Sequence, residues 1–257
     1  MTLLIVNADD FGYTQGVSRG IVHAFRHGLV TSASVMTTHM GIEDALLLLR
    51  LEREGMGVGV HLNLTRGRPL TEGLAKLVGG ELTPRLDWLD EETLPLAEEE
   101  LSAQLEALMR LGVRPDHLNT HHHLHAENRL VFDLVVKLAK RHRLGVRAYD
   151  SKQRERLRRL GLVCPDRLVL TFYGPGASFF HLRSLLWEMA SRREEAVELV
   201  CHPGEVDPPL RRLSSYSIPR QREMTILSLP GLRELARDLF LTPATYRDLW
   251  GQPEPGG

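Results

Sequence analysis

The chain has 257 residues, a length that suits one large domain such as an α/β barrel. Its 32 basic and 33 acidic residues leave a formal net charge of −1, which argues against nucleic acid or a membrane surface as the partner. Two cysteines, Cys164 and Cys201, are too few for a disulfide framework, and no apolar run reaches the roughly 20 residues that span a bilayer. Because the first residues lack the basic and apolar pattern of a signal peptide, we expect a cytoplasmic protein.

Short apolar runs alternate with longer amphipathic stretches, and this alternation predicts the secondary structure. The predicted strands are, in chain order, Leu3–Asn7, Ser32–Thr37, Gly57–Leu62, His117–Asn119, Gly145–Ala148, Leu168–Phe172 and Glu198–Cys201. The helical patterns between them lie near 15–27, 41–54, 97–111, 128–142, 151–160 and 178–192. A strand followed by a helix, repeated about seven times, favours a parallel sheet with right-handed crossovers. We therefore predict a single domain over residues 1–257, in which the sheet closes into a barrel or a barrel-like sheet.

Polar and charged side chains gather where the predicted strands end. Parallel α/β folds carry their active sites at the carboxyl ends of their strands. The residues at these ends are Asp9, Asp10, His61, the run His121, His122, His123 and His125, then Arg147 and His202. Two connections, 65–96 and 203–220, are long enough to form a lid or a wall above such a site. Together these features predict a functional site at one rim of the sheet.

The adjacent carboxylates of Asp9 and Asp10 have two interpretations. Aspartate is a common turn and cap residue, so the pair could simply cap the helix that begins near Thr14. Alternatively, one carboxylate binds a metal ion and the other serves as a base. Successive residues of a strand point to opposite faces, so the two side chains need not have the same role.

The motif "HHHLH" indicates a metal site more strongly than a single histidine does. His121 and His125 are four residues apart, and His122 and His125 are three apart, so either spacing can place two imidazoles on one side of a helical turn. One aspartate and two histidines would leave open coordination positions, which is typical of a catalytic rather than a structural metal. By itself, His61 or His202 could be a hydrogen-bonded structural residue, and Arg147 could merely pair with a carboxylate.

The chain resembles the YdjC-like carbohydrate deacetylases, the family of bacterial chitooligosaccharide deacetylase. The segments that carry the resemblance are "LLIVNADDFGYTQGVSRGI", "VGVHLNLTRGRPL", "PDHLNTHHHLH", "GVRAYD", "FYG" and "CHPG". The resemblance implies a deformed (β/α) barrel of about seven parallel strands, similar to polysaccharide deacetylases. It also implies one divalent metal ion, Mg²⁺ or Zn²⁺, held by Asp10, His61 and His125. Asp9 is then the general base and His202 the general acid.

The implied reaction removes acetyl groups from N-acetylated amino sugars, with a small oligosaccharide as the substrate. Four further residues are expected to support the metal site or contact the substrate: His121, His122, Arg147 and Tyr173. The wider deacetylase pattern has Arg-x-Pro where this chain has Arg-Ala-Tyr at 147–149, which leaves the orientation of the base by Arg147 open. Two alternatives also stay open, another metal-dependent barrel hydrolase acting on a phosphoester or cyclic amide, and a non-catalytic sugar- or metal-binding protein. The sequence does not decide between a monomer and a homodimer.

Overall fold

One parallel sheet organises the chain. The structure, a computed structural model, describes residues 1–192 and 194–251. Within this range the sheet has eight strands. They are β1 (Thr2–Phe11), β2 (Ser32–Val35), β3 (Gly57–Leu62), β4 (His117–Thr120), β5 (Gly145–Val146), β6 (Arg167–Val169), β7 (Ala196–Cys201) and β8 (Leu241–Pro243).

The strand order is β5-β4-β3-β2-β1-β7-β6, and β8 pairs with the start of β1. All pairings are parallel, and none joins β5 to β6 within the described residues, so the sheet is a curled, barrel-like one with an open seam. The predicted barrel-like sheet of about seven parallel strands is thereby confirmed. β1 lies between β2 and β7 and is buried along almost its whole length, which explains its continuous apolar run.

Helices cover the sheet and its ends. They are α1 (Gln15–His27), α2 (Ile42–Arg53), α3 (Glu72–Leu77), α4 (Leu94–Arg110), α5 (Leu124–Glu127), α6 (Arg129–His142), α7 (Ser151–Arg159), α8 (Phe179–Arg192), α9 (Pro208–Leu213), α10 (Ile218–Leu227) and α11 (Leu232–Asp238). The six predicted helical patterns correspond to α1, α2, α4, α6, α7 and α8. Short 3₁₀ turns occur at His121–His123, Gly174–Gly176 and Tyr246–Trp250.

Helix α1 fixes the segment that follows β7. Its N-cap Thr14 accepts a hydrogen bond from the Val17 amide, and its buried face packs on the sheet. A Cβ atom at Gly20 would lie 2.4 Å from the Cα atom of Gly204, so only glycine allows the helix and this loop to approach so closely. The Gly16 amide also donates to Asp207 Oδ2 over 2.7 Å. The loop after β7 is therefore anchored beside the carboxyl end of β1.

Along the described residues, no helix combines the length and the apolar character that a membrane span requires.

Candidate metal and catalytic site

The carboxyl ends of β1, β3 and β4 bring Asp10, His61 and His121 together. Asp10 Oδ1 lies 3.2 Å from His61 Nε2 and 3.1 Å from His121 Nδ1, and the two nitrogens are 3.3 Å apart. All three side chains are buried. This arrangement can present two imidazole nitrogens and one carboxylate oxygen to a single ion.

A backbone irregularity places both carboxylates of the Asp9–Asp10 pair in the same cleft. The register between β1 and β2 shifts between Ala8 and Phe11, and Asp10 adopts a left-handed conformation with φ of 72°. Such an irregularity in a strand redirects the side chains next to it. The strict alternation expected from an ordinary strand therefore does not hold here, and both side chains line the cleft.

The turn after β4 determines which histidine joins the group. His122 and His123 have positive φ angles of 53° and 55°, so the segment is not a continuous helix and the three- and four-residue spacings do not apply. His121 Nδ1 faces Asp10. His122 Nδ1 lies 3.0 Å from Thr65 Oγ1. His123 Nδ1 lies 2.7 Å from the hydroxyl of Tyr149.

The structure does not place His125 with Asp10 and His61, contrary to the expectation from the sequence. Its Nε2 atom lies 2.9 Å from the carbonyl oxygen of Arg147, which can only accept, so Nε2 carries the proton. Its Nδ1 atom lies 2.7 Å from Thr120 Oγ1. Burial lowers the pKa of His125 to about 3, so the ring is neutral at ordinary pH. Both ring nitrogens are engaged inside the fold, and His121 occupies the position predicted for His125.

Asp9 is enclosed by hydrogen-bond donors. Its Oδ1 atom accepts from Asn7 Nδ2 at 2.8 Å, Ser34 Oγ at 2.9 Å and Asn119 Nδ2 at 3.2 Å. Arg147 adds a bidentate contact, with Nη2 2.8 Å from Oδ1 and Nη1 2.7 Å from Oδ2. Burial alone would raise the pKa of Asp9, but the charge and hydrogen bonds of Arg147 outweigh it and hold the pKa well below its usual range. Asp9 therefore stays charged, and Oδ2 carries fewer hydrogen bonds than Oδ1.

Behind Arg147 lies a second carboxylate that the sequence did not reveal. Arg147 donates to Glu198 Oε1 from Nε at 3.0 Å and from Nη2 at 2.7 Å, and the Tyr246 hydroxyl donates to Glu198 Oε2 at 2.6 Å. Arg147, Glu198 and Tyr246 are completely buried. A buried guanidinium needs such partners, because leaving it unpaired would be strongly destabilising. The orientation of Asp9 by Arg147, left open by the sequence, is present in the structure.

Arg220 on α10 contacts the other end of the Asp10 carboxylate. Its Nη2 atom lies 2.6 Å from Asp10 Oδ2, so Oδ1 alone faces the two imidazoles. Both side chains are buried, and the charge of Arg220 offsets the burial of Asp10 and keeps its pKa well below the usual range. Arg220 lies in a polar segment without apolar periodicity, which gives no sequence signal for this role.

His202 lies at the carboxyl end of β7 and lines the same cleft. Its main-chain N–H donates to the carboxylate of Glu223 on α10, and its buried Nδ1 atom has no partner within the described residues. Burial lowers the pKa of His202 to about 4 and raises the pKa of Glu223 to about 7. The imidazole of His202 is therefore neutral at pH 7.

A cleft of about 620 Å³ opens above these residues. Both long connections contribute to its walls, as predicted. Arg66 and Pro84 come from the first connection, and Leu213 and Tyr216 from the second. Tyr173 completes one side of the mouth. A volume of this size lies within the usual range for sites that enclose small molecules.

The donor set fits a divalent metal ion. Three donor atoms about 3.2 Å apart match the spacing of ligands on one side of an ion that binds at roughly 2.0–2.2 Å. His61 Nδ1 lies 2.7 Å from Asn119 Oδ1, an acceptor, so the Nε2 lone pair of His61 is directed at the group. Asp10, His61 and His121 are the residues that could hold the ion.

Proteins described as deacetylases of carbohydrates match this chain over nearly its whole length. A carbohydrate deacetylase from Geobacillus stearothermophilus is 38% identical over 248 residues, which cover 96% of this chain and 97% of that protein. A chitooligosaccharide deacetylase from Proteus mirabilis (strain HI4320) is 35% identical over 253 residues, covering 96% and 98%.

Solved structures show the same fold. A proposed cellobiose-phosphate cleavage protein from Enterococcus faecalis V583 superposes with a TM-score of 0.85 at 29% identity, covering 96% of this chain and 98% of that one. A family 4 carbohydrate esterase from Streptomyces lividans has a TM-score of 0.54 at 12% identity, covering 96% and 95%, and supports the fold alone. The family model described as YdjC-like protein matches residues 3–238. This match confirms the resemblance seen in the motifs, and the chain belongs to the YdjC-like protein family.

Proposed function

We propose that this protein is a metal-dependent carbohydrate deacetylase that hydrolyses the acetamide of N-acetylated amino sugars of the chitooligosaccharide type. The observation that carries the proposal is the group of Asp10, His61 and His121, which lies in one cleft with Asp9 and His202. Relatives named carbohydrate deacetylase and chitooligosaccharide deacetylase, at 38% and 35% identity, support the substrate class.

A divalent ion, Mg²⁺ or Zn²⁺, would supply a Lewis acid for the acetyl carbonyl and lower the pKa of a bound water. The chain provides Asp10 Oδ1, His61 Nε2 and His121 Nδ1 as its ligands. Arg220 holds Asp10 Oδ2 over 2.6 Å, which keeps the carboxylate charged and fixes the direction of Oδ1. Three protein ligands leave room for water and substrate, as catalytic metal sites require.

Asp9 is the proposed general base. Four hydrogen bonds occupy its Oδ1 atom, whereas Oδ2 accepts one from Arg147, so Oδ2 is the atom we assign to the water proton. The bidentate contact with Arg147 holds the carboxylate in place for that transfer. Since Asp9 is ionised throughout the ordinary pH range, the base is available without a prior deprotonation.

His202 is the proposed general acid for the departing amine. Its pKa of about 4 makes the ring neutral in the free protein at pH 7, so it needs a proton during the reaction. We propose that the proton that Asp9 takes from water passes to His202 and from there to the sugar nitrogen as the C–N bond breaks. The hydroxyl left from that water stays on the acetyl carbon, so the products are the free amine and acetic acid. The main-chain N–H of Tyr173 is the proposed donor to the oxyanion of the tetrahedral intermediate.

The test is acetate release from N-acetylated chitooligosaccharides of several lengths, before and after chelation and after the addition of Mg²⁺ or Zn²⁺. We expect release that chelation abolishes and added ion restores. Aryl phosphoesters and a cyclic amide, assayed in parallel, cover the alternative hydrolase activities. Full turnover in metal-free protein, or hydrolysis confined to those alternative substrates, would contradict the proposal.

A further inference from the structure

An exposed aromatic ring forms one side of the cleft mouth. Tyr173 lines the cleft, and 46% of its surface is exposed. Its ring stacks on the ring of Tyr216 with centroids 4.0 Å apart and planes 7° from parallel. One face of Tyr173 is therefore covered by a second aromatic ring, and the exposed surface of the residue lies away from that face.

The position of His202 shows that the outer face of Tyr173 is not covered by the catalytic histidine. The His202 ring centroid lies 5.3 Å from that of Tyr173 and 6.0 Å from that of Tyr216. A ring above the outer face of Tyr173 would be much farther from Tyr216 than from Tyr173, because the stacked pair would separate them. The two nearly equal distances place His202 beside the stacked pair. The outer face of Tyr173 is thus next to the proposed acid and is not covered by it.

Hydrogen bonds fix this aromatic pair to the same residue that holds His202. The Tyr216 hydroxyl accepts from the Gly174 amide over 2.7 Å and donates to the Glu223 carboxylate. Glu223 also accepts the main-chain N–H of His202. The ring of Tyr173 therefore has a defined position relative to the site, and binding a ligand on it needs little ordering of side chains.

A pyranose ring has the chemistry that this surface suits. One face of the sugar presents C–H groups, which pack on the electron-rich face of an aromatic ring while the hydroxyl groups at the sugar edge stay hydrated. We propose that the outer face of Tyr173 is a subsite for the sugar ring that adjoins the N-acetylated ring undergoing hydrolysis. This inference rests on the proposed deacetylase function and deepens it, because it names the residue on which the second sugar ring of the substrate would lie.

The experiment measures two quantities on metal-loaded protein. Calorimetry gives the affinity for the β-1,4-linked glucosamine disaccharide, which has no acetyl group and cannot be turned over. Steady-state kinetics with the N-acetylated disaccharide gives KM and kcat separately. The variants are Tyr173→Ala, Tyr173→Phe and, as a matched control, Phe240→Ala. Phe240 is an exposed aromatic whose carbonyl accepts from the Thr2 amide at the start of β1, at the opposite end of the sheet.

We expect Tyr173→Ala to weaken disaccharide binding and raise KM by roughly tenfold, the worth of one aromatic contact. Its kcat should change by a smaller factor than KM, because the main-chain N–H assigned to the oxyanion is retained. Tyr173→Phe keeps the aromatic face and should bind the disaccharide with the affinity of the parent. Phe240→Ala, at the opposite end of the sheet, should match the parent in both affinity and kinetics. A structural role alone would instead lower kcat through a displaced His202 and leave the affinity unchanged, which would overturn the proposal. Thermal unfolding of each variant shows that it is folded.

Two further outcomes separate this inference from the proposed function. If the disaccharide does not bind the parent, the subsite is wrong. If it binds in a manner that depends on Tyr173 but no acetate is ever released, the deacetylase function fails while the sugar subsite stands.

Discussion

His121 Nδ1 lies 3.1 Å from Asp10 Oδ1, whereas His125 Nε2 donates a hydrogen bond to the carbonyl oxygen of Arg147 over 2.9 Å. The first prediction follows from this difference. His121→Ala should abolish metal binding at micromolar Zn²⁺, because it removes one of three proposed ligands. His125→Ala should change the dissociation constant by less than about tenfold, since its ring nitrogens contact Thr120 and the Arg147 carbonyl rather than any of the three proposed ligands.

Calorimetric titration of both variants with Zn²⁺ measures this difference. His125→Ala also removes the donor to the Arg147 carbonyl and the ring contact of the Thr120 hydroxyl, which keeps only the main-chain N–H of residue 125 as a partner. We therefore expect a loss of about 1–3 kcal/mol in the free energy of unfolding. If His125→Ala loses the metal and His121→Ala keeps it, the assignment of the ligands is wrong.

A second prediction separates the two adjacent carboxylates. Asp9→Asn should keep metal affinity close to that of the parent and lower kcat by roughly 10²–10⁴, the usual worth of a positioned base. Asp10→Asn should instead weaken metal binding, because a neutral amide replaces the carboxylate that faces both imidazoles. Zn²⁺ titration and acetate release on the same preparations compare the two effects. If Asp9→Asn instead lost the metal and Asp10→Asn kept it with a lower kcat, Asp9 would be the ligand and Asp10 the base.

Much of the fold could be predicted because the apolar pattern and the tertiary structure agree. Each strand from β1 to β7 overlaps a predicted strand, although β1 continues beyond Asn7 to Phe11 and β6 ends at Val169 rather than Phe172. The long helices show the expected apolar spacing. The strand β8 has three residues and gains its stability from pairing with β1, so its sequence alone carries little signal. The short helices α9 and α11 depend in the same way on contacts made after the chain has folded.

The site was predicted in its location and only partly in its details. The carboxyl ends of the strands meet at one edge of a parallel sheet, which is why Asp9, Asp10, His61 and His202 could be placed together from the sequence. The resemblance selected His125, while the spacing of the four histidines left His121 and His122 open as partners. Two consecutive left-handed residues, His122 and His123, turn the chain after β4 so that His121 faces Asp10 instead. Residues far away in the sequence, such as Glu223, reach the site only through tertiary packing.

The third prediction concerns acid stability of the metal-free protein. Burial lowers the pKa of His125 to about 3 from a usual value near 6.5. Between these two values the unfolded chain binds a proton that the folded chain does not, so this contribution to stability is present above pH 6.5 and is lost as the pH falls. The slope is up to about 1.4 kcal/mol per pH unit for one proton.

Urea unfolding in the presence of a chelator, at intervals from pH 6.5 to 4.5, measures that slope. The free energy of unfolding of His125→Ala should fall less steeply with decreasing pH than that of the parent, by about 1.4 kcal/mol per unit. His23→Gln is the matched control for the loss of one histidine, because the side chain of His23 is exposed on α1. If the free energy of unfolding of the parent and of His125→Ala depends on pH with the same slope, the pKa of His125 is the same in the folded and unfolded chains and this prediction is wrong.

The last prediction concerns the buried chain of charges that ends at Asp9. The Tyr246 hydroxyl donates to Glu198 Oε2 over 2.6 Å. Arg147 donates both to Glu198 Oε1 and to the carboxylate of Asp9. Tyr246→Phe preserves the shape of the ring and removes only the hydroxyl. Because the lost hydrogen bond has a charged acceptor, we expect the free energy of unfolding to fall by about 1.5–3 kcal/mol.

Glu198→Gln should lower the free energy of unfolding more than Tyr246→Phe does. It removes one of the two negative charges, those of Glu198 and Asp9, that balance Arg147. Urea unfolding at pH 7 ranks the two variants, and Tyr173→Phe is the control, since Tyr173 is half-exposed at the cleft mouth, away from the buried Arg147, Glu198 and Tyr246. Metal affinity should be unchanged in all three, because Asp10, His61 and His121 do not contact Glu198 or Tyr246 among the described residues. A Tyr246→Phe variant as stable as the parent would mean that Glu198 does not need this donor, and the buried charge would then be balanced by Arg147 alone.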